Sequence, residues 1–396
     1  MRSIVLSKSG INKVRSHSTE LKAADFEGSI KSVPPGEWCQ FQLSPTEFYV
    51  GFINPMIEEK YTCAYLVGKV TAEELKTFSP DKFVSAQIKK AFDKRQRYET
   101  YHSGARLFYG MSDGLPGLIV DSFENASIIQ INTAGVDKFR DQIKSTLETL
   151  TGTKGYFLDN PKYREKEYLP TFETEKFPDL DVIENGLRYK IRSEVLQKVG
   201  FYYDHRENRF QLMSLLKRLS HKPKRGVDLF SYAGAWGMSA LSGGVERVEF
   251  VDQGDFAVEV AEALKINGFA DRGAFHRQDV FKYLDEMINK QTKFDLVLCD
   301  PPAFAKSASQ KDQALEGYSK LHRKVLKCAA AGSICAFSSC THYVGHDEFQ
   351  KNVMDAARKE GRKVQLIYSG MQGWDHPVTS LEDKSNYIKS YFYFVE

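Results

Sequence analysis

Asp300-Pro301-Pro302 ends one apolar run, LCDPPAFAKS, and Cys340 ends another, SICAFSSCTH. Two prolines fix φ and hold a turn rigid. The carboxylate and carbonyl in front of them suit a flat polar group such as the amine edge of a base, with Phe304 placed to stack on it. A thiol at the carboxyl end of a strand is a nucleophile where nearby positive charge lowers its pKa. Elsewhere it is a small buried hydrophobe. As a nucleophile, Cys340 would add to C6 of a pyrimidine and make C5 able to take a methyl group. A base would then remove the C5 proton so that the thiol could leave. Cys39, Cys63, Cys299, Cys328 and Cys335 read as buried hydrophobes. His342 and His346 have i, i+4 spacing next to Cys340, but no fourth ligand stands nearby and no metal is expected. A Ser/His/Asp hydrolase is excluded for want of a GxSxG elbow.

These residues need a scaffold, and from residue 193 onward the pattern is strand–helix alternation. RGVDLF, RVEFVD, AFHRQDV, FDLVLCD, SICAFSSC, KVQLIYSG and NYIKSYFYFVE read as strands. WGMSALSGG, DFAVEVAEALKINGF, VFKYLDEMINK, DQALEGYSKLHRKVLKCAAA and HDEFQKNVMDAARKEG read as helices, with Gly332 closing the fourth. The spacing predicts an α/β domain with a mainly parallel, doubly wound sheet. Ligands in such sheets sit at the carboxyl ends of the strands, near the switch in strand order.

The first βα turn there is DLFSYAGAWG, residues 228–237, with Ser231 inside it. Gly234 and Gly237 allow a tight turn and close approach to a ligand. The next strand ends at Asp252, where an acidic side chain takes both hydroxyls of a ribose. The third runs into Asp279-Val280, placed to meet an adenine amine. A dinucleotide would need GxGxxG so that its pyrophosphate could rest on the helix N-terminus, and that fingerprint is absent. Asp228 would repel phosphate and attract an ammonium. The charge logic favours S-adenosylmethionine, which carries an ammonium and a sulfonium and no phosphate.

Upstream, residues 1–72 hold short alternating runs (SIVLS, VPPGEWCQFQL, EFYVGFINP, YTCAYLVGKV) and read as a small β module. Residues 73–192 read as a compact α+β unit. It has a helix striped by Phe83, Ile88 and Phe92, strands around Asp113-Gly114 and Pro116-Gly117, and a closing hairpin at Asn185-Gly186. The 396 residues, 42% hydrophobic and 27% charged, are ordinary for a multidomain globular protein. No apolar run approaches the ~20 residues of a membrane span, no signal-peptide h-region opens the chain, and six cysteines make no disulfide framework. The expectation is a cytoplasmic protein. Its formal charge is +3, unevenly spread: Lys76 to Arg106 nets +5 and Lys190 to Arg225 nets +7. Such stretches are either phosphate footprints or solvated helix faces. Arg95 and Arg97 are the residues that the phosphate reading would use.

Six motifs together resemble a known family: SDGLPGLIVD (112–121), VGFYYDHRENR (199–209), DLFSYAGAWG (228–237), CDPPAFAKS (299–307), FSSCTH (337–342) and MQGWDHPV (371–378). The chain resembles the PUA-containing class I methyltransferases of the ribosomal RNA large-subunit methyltransferase I type, which make 5-methylcytosine in bacterial 23S rRNA. The resemblance implies an N-terminal PUA-like β-barrel module (1–72), a central α+β domain (73–192) and a C-terminal Rossmann-like methyltransferase domain (193–396). It also implies ribosomal RNA as partner and a homodimer. By position it assigns the S-adenosylmethionine pocket to Asp228, Phe230, Ser231, Tyr232, Gly234, Asp252, Asp279, Val280, Asp300 and Pro301, with Asp204 and Arg206 closing over it. Cys340 becomes the nucleophile and Asp300 the holder of the cytosine edge. Pro302, Phe304 and His342 become base-side contacts, and His376 approaches without a chemical step. Two stretches depart from the family pattern: RSHSTELKAADFEG (15–28) replaces a His-Pro-Trp stretch, and Leu196–Gly200 replaces a glycine-rich loop.

Two other classes compete. An exocyclic-amine methyltransferase, for instance of guanine N2, would use Asp-Pro-Pro without a nucleophile. A non-catalytic RNA-binding assembly protein would leave four acidic strand ends without a purpose.

Overall fold

The computed structural model describes residues 1–98, 104–196, 201–378 and 385–396. Val199 and Gly200 of the VGFYYDHRENR motif, and the divergent loop beyond Leu196, lie outside the described residues. Among those described, the chain forms two compact units, residues 1–178 and residues 179–196 with 201–396.

In the first unit a five-stranded sheet has the order Arg2–Val5, Glu37–Gln42, Phe48–Ile53, Ala64–Val70, Glu20–Leu21. Its first pair is parallel and the others antiparallel. Helix Lys8–Arg15, unforeseen in the sequence, starts where Ser7 Oγ accepts the Gly10 N–H at 3.3 Å. A four-stranded sheet follows in chain order: Ala105–Tyr109, Leu118–Ser122, Ser127–Ile131 and Gly155–Phe157. Helix Pro80–Arg95 buries Val84, Ile88, Ala91, Phe92 and Arg95. The expected stripe keeps Ile88 and Phe92, while Phe83 turns aside and meets Trp38 edge-on at 5.9 Å.

The second unit opens with the hairpin Leu180–Glu184/Leu187–Ile191, which the sequence grouped with the central zone. Asn185 (φ 52°) and Gly186 (φ 81°) supply the two positive φ values that a tight hairpin turn needs. Helix Arg206–Arg218 leads into a seven-stranded sheet. Its order is Gly273–Arg277, Arg247–Asp252, Arg225–Leu229, Phe294–Cys299, Ala329–Ser339, Lys389–Val395, Val364–Gly370. All pairs are parallel except those made by Lys389–Val395, which runs against both neighbours. The strand order reverses between Arg225–Leu229 and Phe294–Cys299, the point at whose carboxyl ends sheets of this kind bind their ligands. This is the expected Rossmann-like arrangement, and Val227, Leu229, Val297 and Phe337 are wholly buried in its core.

One expected helix is too long. Lys311–Cys328 is helical, but Ala329 to Ala331 belong to the strand Ala329–Ser339. Ala329 pairs with Phe294, and the register then slips before Leu296 meets Ile334. Gly332, expected as a helix stop, takes φ 78° in that irregularity. Sheet pairing overrode the helix propensity of three alanines. Among the described residues no helix is long and apolar enough to cross a membrane.

Candidate active site

The turn after Arg225–Leu229 is built under backbone strain. Phe230 (φ 61°) and Tyr232 (φ 47°) are left-handed without being glycine, and Gly234 follows at 83°. Such conformations persist only where the surroundings impose them. Here Ser231 N–H reaches Val251 O at 3.1 Å, and Tyr232 N–H reaches Asp252 Oδ2 at 3.0 Å. Asp252 Oδ1 accepts Gly254 N–H at 2.8 Å. One carboxylate therefore ties the first βα turn to the second. Ser231 Oγ is buried with no hydrogen-bond partner among the described residues, so a polar group is left for a ligand to satisfy.

Asp228 is 1% exposed, and its Oδ2 accepts Gly237 N–H at 2.8 Å. Burial, and then the charges of Asp300 and Asp252, push its carboxyl well above the usual range. A cation brought close would favour ionisation. Gly237 itself packs rather than turns: a Cβ there would lie 2.2 Å from Phe250 Cε1. Asp279 caps helix Val280–Asn289 by accepting Lys282 N–H at 3.0 Å. Val280 is buried in the core, so only its backbone is left to face a ligand. Phe230 packs against the same core. Pro301 is buried and Pro302 exposed.

Asp204 and Arg206 lie together with the late segment around Trp374. Asp204 accepts the Tyr387 hydroxyl at 2.7 Å, and its carbonyl accepts Gly373 N–H at 2.9 Å. Arg206 is buried, donates to Asp375 Oδ2 at 3.2 Å and lies over the Trp374 ring. Asp375 also holds His376 Nδ1 at 3.0 Å, so His376 is 2% exposed. Tyr202 marks where the pieces meet. Desolvation raises its phenol pKa, and Asp204, Cys340, Asp300 and Asp252 add to the rise in that order.

On the other flank, Asp300 Oδ2 accepts Trp236 Nε1–H at 3.0 Å and faces His205 Nε2 at 3.5 Å. Phe304 stacks on Tyr318 with centroids 4.6 Å apart, which commits one of its faces to the core. Cys340 follows Ser339, whose partner across the sheet is Lys389. Lys389 is 2% exposed and donates to Thr341 O at 2.6 Å and Val344 O at 2.9 Å. Burial pulls its ammonium down to about 8, against an upward pull from Cys340. Of the six cysteines only Cys340 is part-exposed. Cys335 shows the contrast: it is wholly buried and its thiol is pushed up to about 12. His342 is exposed and meets the Tyr343 ring edge-on.

Of the two residues that the phosphate reading would use, Arg97 is exposed, but Arg95 is not available to a phosphate. Arg95 is 1% exposed and bidentate to Asp113 at 2.7 and 2.6 Å. Arg106 pairs with Asp121, and in the second stretch Arg209 pairs with Glu184 at 2.5 Å. These three guanidiniums close internal ion pairs, so they are not part of a surface footprint. Trp236, His205 and Lys389 are the site residues that sequence reasoning missed. Trp236 and His205 lie inside two of the quoted motifs, but the group each faces, Asp300, is far along the chain, as is Thr341 from Lys389.

The S-adenosylmethionine-dependent methyltransferase family model matches residues 136–353, more than half of the chain. Ribosomal RNA large subunit methyltransferase I of Enterobacter sp. (strain 638) is 33% identical over 306 residues, 75% of each chain. The protein of the same name from Klebsiella pneumoniae subsp. pneumoniae is 33% identical over 294 residues, 72% of each. Among solved structures, a Streptococcus mutans protein described as a SAM-dependent methyltransferase superposes over 100% of both chains with TM-score 0.76 at 17% identity. A methyltransferase complexed with SAH does so with TM-score 0.77, also at 17% identity. With the reversed strand order, the acidic strand ends and the unsatisfied Ser231 hydroxyl already in place, the chain belongs to the S-adenosylmethionine-dependent methyltransferases, in the ribosomal RNA large subunit methyltransferase I family.

Proposed function

We propose that the protein methylates C5 of a cytosine in ribosomal RNA through a covalent adduct on Cys340. When bound, S-adenosylmethionine supplies an electrophilic methyl group on a sulfonium. Ser231, Asp228 and Asp252 would hold its polar ends, with Asp204 and Arg206 at the rim. Cys340 thiolate forms an S–C6 bond, which turns C5 into a carbon nucleophile. C5 takes the methyl group, a base removes the C5 proton, and the C6–S bond breaks to restore both ring and thiolate. Asp300 would accept a hydrogen bond from the cytosine amine. A base in a stacked helix cannot reach this arrangement, so the substrate is a loop or an unfolded rRNA segment.

The observation that carries the reading is Cys340 itself: the one part-exposed cysteine, at a strand end beside the buried ammonium of Lys389. Positive charge beside a thiol favours its thiolate. Direct transfer to an exocyclic amine is less well supported, because it needs no nucleophile and leaves the part-exposed thiol of Cys340 without a role.

Nucleoside mass spectrometry on rRNA treated with the enzyme tests the chemistry. Wild type should yield a carbon-methylated cytidine, and Cys340→Ala should lower the yield at least ~1000-fold, as expected for loss of a nucleophile. Calorimetry should show cofactor binding unchanged. Full transfer by Cys340→Ala would rule out the covalent route, and a methylguanosine product would favour the amine reading.

A further inference from the structure

His205 stands between two residues assigned to the cofactor rim, yet its ring faces the base side. It is 3% exposed, lies 5.4 Å from the Trp236 ring and directs Nε2 at Asp300 Oδ2 across 3.5 Å. That distance exceeds a good hydrogen bond, and Nε2 has no other partner among the described residues.

Its tautomer is set from behind. Asn208 Nδ2 lies 3.0 Å from Met371 O, which can only accept, so the amide orientation is settled. Asn208 Oδ1 accepts the Tyr368 hydroxyl at 3.0 Å. The second Nδ2 hydrogen then points at His205 Nδ1, 3.2 Å away. A donor in front of Nδ1 requires Nδ1 to be the acceptor, so the proton sits on Nε2. Gly370 makes this packing possible: a Cβ there would lie 2.0 Å from Asn208 Oδ1. Asp300 Oδ2 thus faces two N–H donors, from Trp236 and His205, and a proton on that oxygen would have no acceptor. Oδ1 takes no hydrogen bond among the described residues.

We propose that His205, locked as the Nε2–H tautomer by Asn208, is a positioning residue. Trp236 Nε1–H holds Asp300 Oδ2, His205 Nε2–H faces the same oxygen from 3.5 Å and keeps a proton off it, and the other oxygen is left to take the amine of the target base. The inference rests on the cytosine reading above, and it gives the site a means of selecting a base that carries an amine over one that does not.

The tautomer is read on the wild-type enzyme by ¹⁵N histidine NMR. Nε2–H with an acceptor Nδ1 is expected, and Nδ1–H overturns the proposal. The second measurement is RNA affinity with S-adenosylhomocysteine present, in Cys340→Ala enzyme so that only non-covalent recognition is read. The probe is a 23S rRNA fragment centred on the cytidine identified by mass mapping, and the same fragment with that N4 amine replaced by hydrogen. With His205 intact, losing the amine should weaken binding about 10-fold, a typical cost of one charge-assisted hydrogen bond. With His205→Phe the penalty should shrink below about 3-fold, because one of the two donors facing Oδ2 is gone. Equal penalties in both backgrounds would reduce His205 to a packing residue and overturn the proposal. A methylguanosine product would sink the cytosine reading instead, whatever the tautomer proves to be.

Discussion

Asp228, Asp252 and Asp279 take backbone N–H groups close to them in sequence: Gly237, nine residues on; Gly254, two on; and Lys282, three on. Asp300 and Cys340 are served from afar. Trp236, 64 residues before Asp300, reaches its Oδ2, and Lys389, 48 residues beyond Thr341, ties down the turn behind Cys340. The first flank is shaped mainly by turns within each motif, with the neighbouring strand adding the ties to Ser231 and Tyr232. The second exists only once the sheet order has brought Phe294–Cys299, Ala329–Ser339 and Lys389–Val395 side by side. Substitutions on the first flank should therefore act on folding and cofactor binding. On the second they should act on chemistry.

Lys389→Met is the strongest way to break that division. It removes a buried ammonium while keeping the length and apolar stem of the side chain. Methyl transfer should fall about 100-fold, in the range seen when one charge-stabilising group is lost, with cofactor affinity unchanged. The alkylation rate of Cys340 against pH reads the cause. Without the neighbouring cation the thiolate is less favoured, so the midpoint should move to higher pH. An unmoved midpoint would mean that Lys389 serves only the turn at Thr341 and Val344.

The same division explains what the sequence could convey. Strand–helix alternation, the Asp300-Pro301-Pro302 turn and the acidic strand ends are short-range patterns, and they were legible. Gly237 was legible as a required glycine, but its reason is Phe250, on the neighbouring strand Arg247–Asp252. Arg95 read as a surface cation because nothing near it in sequence announces Asp113 as its partner. Ala329 to Ala331 read as helix because the strand they open, paired to Phe294 through Ala329, is a tertiary fact. Lys389 was illegible for the same reason, and His205 nearly so: its partner Asn208 is three residues on, but Asp300, the group it faces, is delivered only by the fold.

Gly237→Ala sharpens the contrast from the first flank. In a helix interior, alanine is favoured over glycine by about 1 kcal/mol. Here the added Cβ would lie 2.2 Å from Phe250 Cε1, with Phe250 wholly buried. Overpacking of that kind costs about 3 kcal/mol, so the clash outweighs the propensity and the variant should lose about 2 kcal/mol net. Urea unfolding measures it. A stabilised variant would show that Phe250 moves freely and that the helix does not depend on so close an approach.

His322, beneath the base side, ties that flank to pH. It is 1% exposed, shares its Nδ1 with Asn352 Oδ1 at 2.9 Å and lies among Tyr318, Phe337 and Phe349. Burial pulls its pKa down to about 3. The unfolded chain, with an ordinary histidine near 6.5, therefore binds the proton first as pH falls. Stability that is fully present above pH 6.5 is lost progressively below it, by about 1.4 kcal/mol per pH unit and so about 2 kcal/mol by pH 5. His322→Phe keeps the ring and cannot titrate. It should be less stable than wild type at pH 7.5, because Asn352 Oδ1 loses its partner, and that gap should narrow by about 2 kcal/mol at pH 5. Parallel pH profiles for the two proteins would mean that the imidazole accepts its proton within the fold. The floor under Tyr318 and Phe304 would then be polar and yielding, and the base side would lose the rigid support that its long-range contacts require.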